Sequence, residues 1–398
     1  MARRRRIKSL YYITHVDNLP SILRRGILSH ELVETQGIQF SKIYDADIVS
    51  GRQARIAPDG NSLWAFANLY FQPRNPMLYR VIHEKGKDEV AILGVKPQVL
   101  DFPGVFVSTG NAASYLSSII PVEEGVKIIT GEMWNVIMND WWREEDGSKR
   151  KIMAECLVPG RVPPDYIHTV YVASRQTADQ VRGLLRDVAP KIAVVPEPPM
   201  FFQPRRLYRM TATLSLVDGD MFFSQMQTLT ISVNVVGVMG KGLASRAKYQ
   251  FPDVYVFYQD LCRRKVLRMG RPCLYKREVP LDQQLAAGPS LLPDLNSNKW
   301  FLLFPTKRHW RERSDIHGIE QGLQWIRDNY QSEGIQSLAL PALGCGLGRL
   351  DWRDVGPLMC SYLSDLAIQV AIYLPQESKV APEHLRREFL LSHSGERT

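Results

Sequence analysis

The sequence has no uninterrupted apolar run approaching the ~18 residues that a membrane span needs. Its N-terminus carries a basic run, Arg3–Arg6, with no apolar segment or cleavage site behind it, so it does not read as a secretory signal. That run reads either as a phosphate-contacting arm or as a solvated end. Cysteine is sparse: Cys156, Cys262, Cys273, Cys345 and Cys360 are scattered, with no C-x-x-C pair and no zinc spacing. An odd, unpaired set points to a reducing cytoplasm and to no structural metal. Internal repeats are also missing. Membrane, disulfide-scaffold and zinc-module classes are thereby set aside.

What is present describes an ordinary globular chain. At 398 residues two domains are expected. A content of 45% hydrophobic and 23% charged residues suffices to bury a core in each. The formal net charge of +9 favours a polyanionic partner such as nucleic acid, and also suits a merely soluble basic surface. The proline-dense stretch Pro196–Pro204 cannot sustain a helix and separates two differently patterned halves. The expected division is a domain at 1–198, a linker at 199–209, a domain at 210–378 and a tail at 379–398.

Before the prolines the pattern mixes strands and helices. Ser9–Thr14 is rich in β-branched and aromatic residues and reads as a strand. Asp17 or Asn18 caps a helix over Ser21–Arg25, closed by Gly26. Residues 35–62 show little periodicity and hold Tyr44, Asp45, Asp47, Arg52 and Arg55; unpatterned chain of this length is usually functional or disordered. Short strands are expected at Leu69–Gln72 and Met77–His83 around an Arg74-Asn75-Pro76 turn, then at Asp88–Val95 and Val105–Ser108. Residues 110–150 concentrate Trp134, Trp141, Trp142 and charges. Lys151–Val158 reads as a strand in which Glu155 projects from the face opposite Cys156. A strand at His168–Ala173 and a helix at Arg175–Val188 complete this half.

Beyond the prolines strands alternate with helices. Strands are expected at 214–217, 231–236, 300–305, 338–341 and 369–374, and helices at 243–263, 316–332 and 351–366, with one more at 382–391. This α/β pattern implies a mixed, largely parallel sheet covered on both faces. Residues 276–297 form a polar, proline-containing excursion, a loop or a lid. Ligands in such folds bind at loops beyond the strand carboxyl ends. Two of these loops are Gly-rich: Gly237–Gly242, with Lys241 inside it, and Pro341–Leu350, followed by Asp351 as a helix cap. A strand, a Gly-rich turn and a helix start offer backbone N–H groups and a helix dipole to an anion. Neither loop has phosphate-binding P-loop or G-x-G-x-x-G spacing, and either alone also serves as a tight turn. As a pair they could clamp a diphosphate from two sides. Phe304–Arg308 ends a third strand with a hydroxyl and two cations, another ligand group or a basic surface turn.

Residues of about 210–375 resemble a macrodomain, the ADP-ribose-binding α/β/α fold. The motifs are Val217–Asp220, Ser232–Gly242, Phe304–Lys307 and Ala339–Gly348. Within that fold, Met239-Gly240-Lys241-Gly242 and Phe304–Trp310 are similar to the DarG antitoxin branch, which removes ADP-ribose from thymidine in DNA. Residues of about 7–200 are similar to DarT, the DNA ADP-ribosyltransferase toxin. The motifs are Tyr12–His15 with Asn18-Leu19, Gly51-Arg52, Phe71–Tyr79 and Ala154–Val158. The two resemblances name partners of one toxin–antitoxin system. Together they imply a fusion: an α+β ADP-ribosyltransferase fold followed by an α/β/α macrodomain with a mixed, largely parallel sheet.

By that resemblance the first half transfers ADP-ribose from NAD to thymidine in single-stranded DNA. Tyr12, Ile13, Thr14 and His15 would line the NAD pocket, and residues 36–54 would fold over it. Glu155 would be the catalytic glutamate, Arg52 would be catalytic and hold NAD, and residues 110–150 would present the DNA. A carboxylate suits the oxocarbenium-like ribose created when nicotinamide leaves. A guanidinium can hold phosphate and polarise a thymine, although arginine is a poor base. The family motif commonly opens with His where this chain has Tyr12.

In the second half the resemblance assigns Asp220 to the adenine and Asn234 to the distal ribose, with Met221 and Ser232 in the same ADP-ribose set. Gly237, Val238, Met239, Gly240 and Lys241 would cradle the diphosphate with Gly344, Cys345, Gly346 and Leu347 through backbone N–H groups. Thr306 would border the cleft. Lys241 would carry removal, since a lysine partly desolvated among glycines can attack the ribose anomeric carbon. In a binding-only macrodomain it would be a counter-ion.

The expected partners are NAD as donor, ADP-ribose and single-stranded DNA, with no metal and no membrane. An intramolecular contact between the toxin-like and antitoxin-like halves is compatible with this reading, and the sequence leaves open whether they dock. Free-standing antitoxins of the family often carry a further blocking region, and here little chain follows the macrodomain. The alternative is a single-strand DNA-binding module, with Trp134, Trp141 and Trp142 as stacking platforms, joined to a non-catalytic ADP-ribose reader.

Overall fold

The computed structural model describes residues 6–43, 51–142, 146–277, 299–375 and 379–392. The arm at 3–5, Tyr44, Asp45 and Asp47, nearly all of the 276–297 excursion and the end of the tail lie outside the described residues. The chain divides into two compact units between Gln203 and Pro204.

The first unit contains β1 (Leu10–His15), β2 (Ile27–Leu28), β3 (Phe66–Tyr70), β4 (Val90–Val95), β5 (Phe106–Ser108), β6 (Ile119–Pro121), β7 (Glu155–Pro159), β8 (Arg161–Val162), β9 (Ile167–Val172) and β10 (Ala193–Pro196). Eight of them form one sheet in the order β10-β9-β4-β1-β3-β7-β5-β6, antiparallel except for β10 on β9. β4 is buried at every residue, as a central strand should be. Leu10, Leu69, Leu93, Val107, Cys156 and Val170 share one apolar cluster. Each such aliphatic side chain contributes roughly 1.5–3 kcal/mol relative to exposure.

Two expectations in this unit are corrected. Met77–His83 is not a strand but part of the helix Pro76–Lys85. Asn75 Oδ1 accepts from the Leu78 N–H at 3.0 Å, proline holds the first helical position, and Leu78, Val81 and Ile82 are buried. The strand expected from Lys151 begins only at Glu155, because Ser148–Lys151 forms a helical turn. Arg6, at the edge of the basic run, is docked: it donates to the Thr130 carbonyl at 2.9 Å and lies 5.9 Å from the Trp134 ring centre.

The second unit contains β11 (Arg206–Arg209), β12 (Leu214–Asp218), β13 (Thr228–Asn234), β14 (Cys273–Tyr275), β15 (Trp300–Lys307), β16 (Ser337–Pro341) and β17 (Gln369–Tyr373). Their order is β11-β12-β17-β16-β13-β15-β14, parallel except for the antiparallel pairs β11–β12 and β14–β15 at the two edges. Both faces are covered. Phe301 and Leu303 of β15 join the cluster under the helices of 242–263, while Leu302 and Phe304 join that under Ile316–Asn329 and Trp352–Leu363. The helix expected at 243–263 is two, Gly242–Gln250 and Pro252–Arg263, because Pro252 cannot donate to the preceding turn.

The proline-dense stretch is structured on both sides of the division. Pro198–Phe201 makes a short 3-10 turn with Phe201 buried, and Arg206–Arg209 pairs with β12. In the tail, the helix expected at 382–391 is a 3-10 turn, Pro382–Leu385, followed by the helix Arg387–Leu391.

Candidate active sites

In the first unit Tyr70 stands opposite Glu155 across the β3–β7 pair, so both occupy the face away from Cys156. Glu155 is 1% exposed. Arg52 NH1 lies 3.0 Å from Oε2 and 3.2 Å from Oε1 of this carboxylate. Oε1 also accepts the Ala112 N–H at 2.9 Å. The Glu155 N–H donates to Ser108 Oγ at 3.0 Å, which ties the head of β7 to the end of β5. Oε2 is close to Arg52 but poorly aligned. Among the described residues neither it nor Arg52 NH2 has a hydrogen-bond partner. Each therefore retains capacity for a ligand.

The loops around this pair interlock. Arg55 donates to the Ser117 carbonyl at 3.1 Å and lies 4.8 Å from the Tyr115 ring centre, while Arg150 donates to Ser117 Oγ at 3.0 Å. Tyr115 and Leu116 stay 77% and 81% exposed. Asn18 does not cap its helix. Its side chain instead accepts the Ser41 N–H at 2.8 Å and donates to the Ser41 carbonyl at 2.9 Å, fixing one end of the segment expected over NAD. His30 stacks on Trp64 at 4.4 Å, and Trp64 donates to Glu34 at 2.9 Å.

The Arg52 charge is felt by three rings. Burial, helped by Arg52, lowers the His30 imidazole to about 4. Burial pushes the Tyr70 hydroxyl up, with Glu155 adding to the shift and Arg52 opposing it. Burial also raises Tyr12 against the pull of Arg52. His30 and Tyr70 were missed from sequence. Tyr12, Ile13, Thr14 and His15 cannot all line one wall, because successive strand residues point to opposite faces. Tyr12 packs on the main core cluster. Thr14 accepts from Asn18 at 3.2 Å. His15 is engaged by the Asp17 N–H at 3.2 Å and by Glu89 at 3.2 Å. Of the tryptophans offered as stacking platforms, Trp142 packs edge-on to Tyr79 and Phe202, and Trp134 packs on the core.

In the second unit Asn234 ends β13 and is buried. Its Oδ1 accepts the N–H groups of Val236 at 3.0 Å and Val238 at 3.4 Å, and its Nδ2 donates to the Val238 carbonyl at 2.6 Å. The Tyr258 hydroxyl lies 2.9 Å from both Asn234 O and Oδ1, and burial raises it well above the usual tyrosine range. Asn234 therefore also braces the Gly-rich loop, and its Nδ2 keeps a second N–H beyond the one given to Val238. Asp220, expected at adenine, pairs with Arg246 at 2.7 Å and caps Phe222 at 3.1 Å. Arg246 lies 4.4 Å from the Phe222 ring centre and was not foreseen. Met221 is buried in the same turn.

Lys241 is the N-cap residue of the helix Gly242–Gln250 and is exposed. The expected partial desolvation is thus absent from the open cleft. Gly237 has φ +81°, and Gly240 presents backbone with nothing nearer than Val238 to a side chain placed there. The two Gly-rich loops adjoin: a Cβ on Gly242 would sit 3.2 Å from Leu347 Cδ1, and Leu347 is 57% exposed. Gly344, with φ +74°, and Gly348 pack against Ser314, while Cys345 and Gly346 form the outer bend. Ser232 Oγ and Thr306 Oγ1 meet at 2.9 Å between β13 and β15. Lys307 Nζ donates to the carbonyls of Leu347 and Glu312, each at 3.1 Å. Burial, then Arg349, lowers its pKa. The Val235 N–H donates to the Arg308 carbonyl at 3.3 Å. The ends of β13, β15 and β16 thus form one hydrogen-bonded rim.

No described helix is long and apolar enough to cross a membrane, and no described group of three His, Cys, Asp or Glu could hold a metal. Residues 11–202 match the family model of DarT, the ssDNA thymidine ADP-ribosyltransferase, and residues 289–359 match that of the macro domain. Over 388 residues the chain is 55% identical to the DNA ADP-ribosyl transferase-DNA ADP-ribosyl glycohydrolase fusion protein of Thermosipho africanus, spanning 97% of this chain and 99% of that one. The solved structure of Thermosipho africanus DarTG in complex with ADP-ribose aligns with a TM-score of 0.90 at 53% identity, covering 96% of this chain and all of that one. Over 169 residues the chain is 35% identical to a DNA ADP-ribosyl glycohydrolase of Thermus aquaticus, 42% of this chain and 43% of that one. With Arg52 and Glu155 paired inside the DarT match and Pro341–Leu350 inside the macro match, the chain belongs to the DarT–DarG fusions, a DNA ADP-ribosyl transferase joined to a DNA ADP-ribosyl glycohydrolase.

Proposed function

We propose that Glu155 and Arg52 write an ADP-ribose mark on thymidine in single-stranded DNA, and that the cleft around Lys241 erases it. The transferase corresponds to the first unit, ending at Gln203, and the macrodomain to the second, beginning at Pro204 and including β11. The observation that carries the writing half is the buried contact between Arg52 and Glu155, in which one carboxylate oxygen and one guanidinium nitrogen keep spare capacity. NAD fits that pair. Glu155 Oε2 can accept a ribose hydroxyl and stabilise positive charge at C1′ as the bond to nicotinamide breaks and nicotinamide leaves with the electron pair. Arg52 NH2 can donate to phosphate or to the thymine carbonyl. The thymine ring nitrogen then bonds to C1′ and its proton passes to solvent.

Erasure reverses the attachment with water. The bond between thymine and C1′ breaks, thymine regains a proton, and water supplies hydroxide to C1′, either directly or after the Lys241 amine has attacked. The adjoining Gly-rich loops offer backbone to the diphosphate. A bound ADP-ribosyl strand covering Lys241 would supply the desolvation that the open cleft lacks. No step calls for a metal, and both substrates place the work in the cytoplasm.

The test is incubation of the full chain with labelled NAD and a defined thymidine oligonucleotide. Label should accumulate on the strand with Lys241→Ala and stay low with the unaltered chain. Equal, stable labelling by both would show that Lys241 erases nothing, and the second unit would then be an ADP-ribose reader.

A further inference from the structure

We propose that the turn Arg308–Arg313, at the end of β15, docks the single strand on the erasing unit. The Trp310 indole stacks on a base beside the modified thymidine, and Arg308 and Arg311 meet flanking phosphates. The inference rests on the erasing activity proposed above and adds to it the part of the substrate that ADP-ribose does not provide. A cleft that holds only ADP-ribose cannot tell a DNA attachment from any other. Contacts beside the cleft must supply that distinction.

The turn is well built for this. The Glu312 N–H donates to the His309 carbonyl at 3.1 Å, the His309 N–H donates to Glu312 Oε2 at 3.2 Å, and the Arg311 N–H donates to His309 Nδ1 at 3.3 Å. It adjoins the rim that carries both Gly-rich loops: Lys307 Nζ, at the end of β15, donates to the Leu347 carbonyl at 3.1 Å, and the Val235 N–H, just after β13, donates to the Arg308 carbonyl at 3.3 Å. Trp310 is 48% exposed, with the Arg311 guanidinium 4.5 Å from its ring centre and the His309 ring at 5.3 Å. The turn and the residue before it carry Lys307, Arg308, Arg311 and Arg313 against Glu312. A lone exposed tryptophan needs no explanation. A tryptophan backed by arginine, set among cations and tied to the rim of the cleft, has the make-up of a base-stacking platform. A duplex presents no unstacked base to it.

The full chain without added NAD is assayed on two substrates: an oligonucleotide ADP-ribosylated at one thymidine, and ADP-ribosylated thymidine nucleoside. Trp310→Ala should raise KM for the oligonucleotide about tenfold, the scale of one lost base stack. It should leave kcat and the nucleoside reaction within about twofold, and Trp310→Tyr should restore most of the loss. Equal losses on both substrates, or no change on the oligonucleotide, overturn the proposal. If the unaltered chain strips neither substrate, the erasing activity itself fails. UV crosslinking of an unmodified thymidine oligonucleotide then judges the turn separately. A crosslinked peptide spanning His309–Arg311 supports docking, and its absence refutes it.

Discussion

Arg52 NH1 rests 3.0 Å from Glu155 Oε2, across 103 positions of sequence, where the carboxylate is 1% exposed. Burying two charges is tolerable only while they face each other, and removing one partner strands the other at roughly 3–5 kcal/mol. Glu155→Gln should therefore abolish transfer to DNA and also lower the melting temperature of the first unit by several degrees. Removal of ADP-ribose from pre-modified DNA should be untouched. Calorimetry with both activity assays checks this, and an unshifted transition would mean that the pair is solvated.

Two glycines of the macrodomain separate folding from binding. A Cβ on Gly348 would lie 2.2 Å from Ser314 Oγ and 2.4 Å from the Gly344 carbonyl oxygen, a backbone atom that cannot step aside. Gly348→Ala should cost about 1–3 kcal/mol of stability. A Cβ on Gly240 would meet only Val238, at 3.9 Å. Gly240→Ala should leave stability unchanged and weaken ADP-ribose binding about tenfold if the diphosphate lies against that backbone. Denaturant titration and calorimetric affinity for ADP-ribose decide both.

The sequence carried the frame of this site further than its inner wiring. Alternation alone placed Glu155 on the face opposite Cys156, because a strand leaves no choice. Asp351 was legible as a cap and does accept the Arg353 N–H at 2.9 Å. The helix Pro76–Lys85 was hidden because Asn75-Pro76 serves equally as a turn and as a cap followed by a first helical residue. Only Leu78, Val81 and Ile82 at helical spacing could have tipped it. The roles of Asn234 and Arg246 were out of reach. Each depends on which partner the fold brings to it, Tyr258 in one case and Asp220 in the other. Nothing local encodes those meetings.

Tyr258 holds the first Gly-rich loop through Asn234, with its hydroxyl 2.9 Å from both Asn234 oxygens. Tyr258→Phe removes this donor and keeps the ring. It should cost about 1 kcal/mol of stability and loosen ADP-ribose binding several-fold, without touching transfer to DNA. Unaltered ADP-ribose affinity would show that the loop holds its shape without the hydroxyl.

The first unit should lose stability in acid through His30. Its unfolded imidazole takes a proton near 6.5 and its folded one only near about 4, chiefly because of burial. Between those values the unfolded state binds more protons, so stability falls as pH falls and is flat above 6.5. His30→Gln should flatten the melting temperature across that window. An equal slope in both proteins would place the acid sensitivity elsewhere.

The most direct test of a writer and an eraser in one chain uses one labelled strand and two variants. Single-stranded DNA is ADP-ribosylated by the Lys241→Ala protein, freed of NAD, and given to the Glu155→Gln protein. Loss of the label from thymidine, with no loss when the added protein carries both substitutions, is the predicted result. A label that survives the Glu155→Gln protein, while the strand has been modified as expected, would contradict the account.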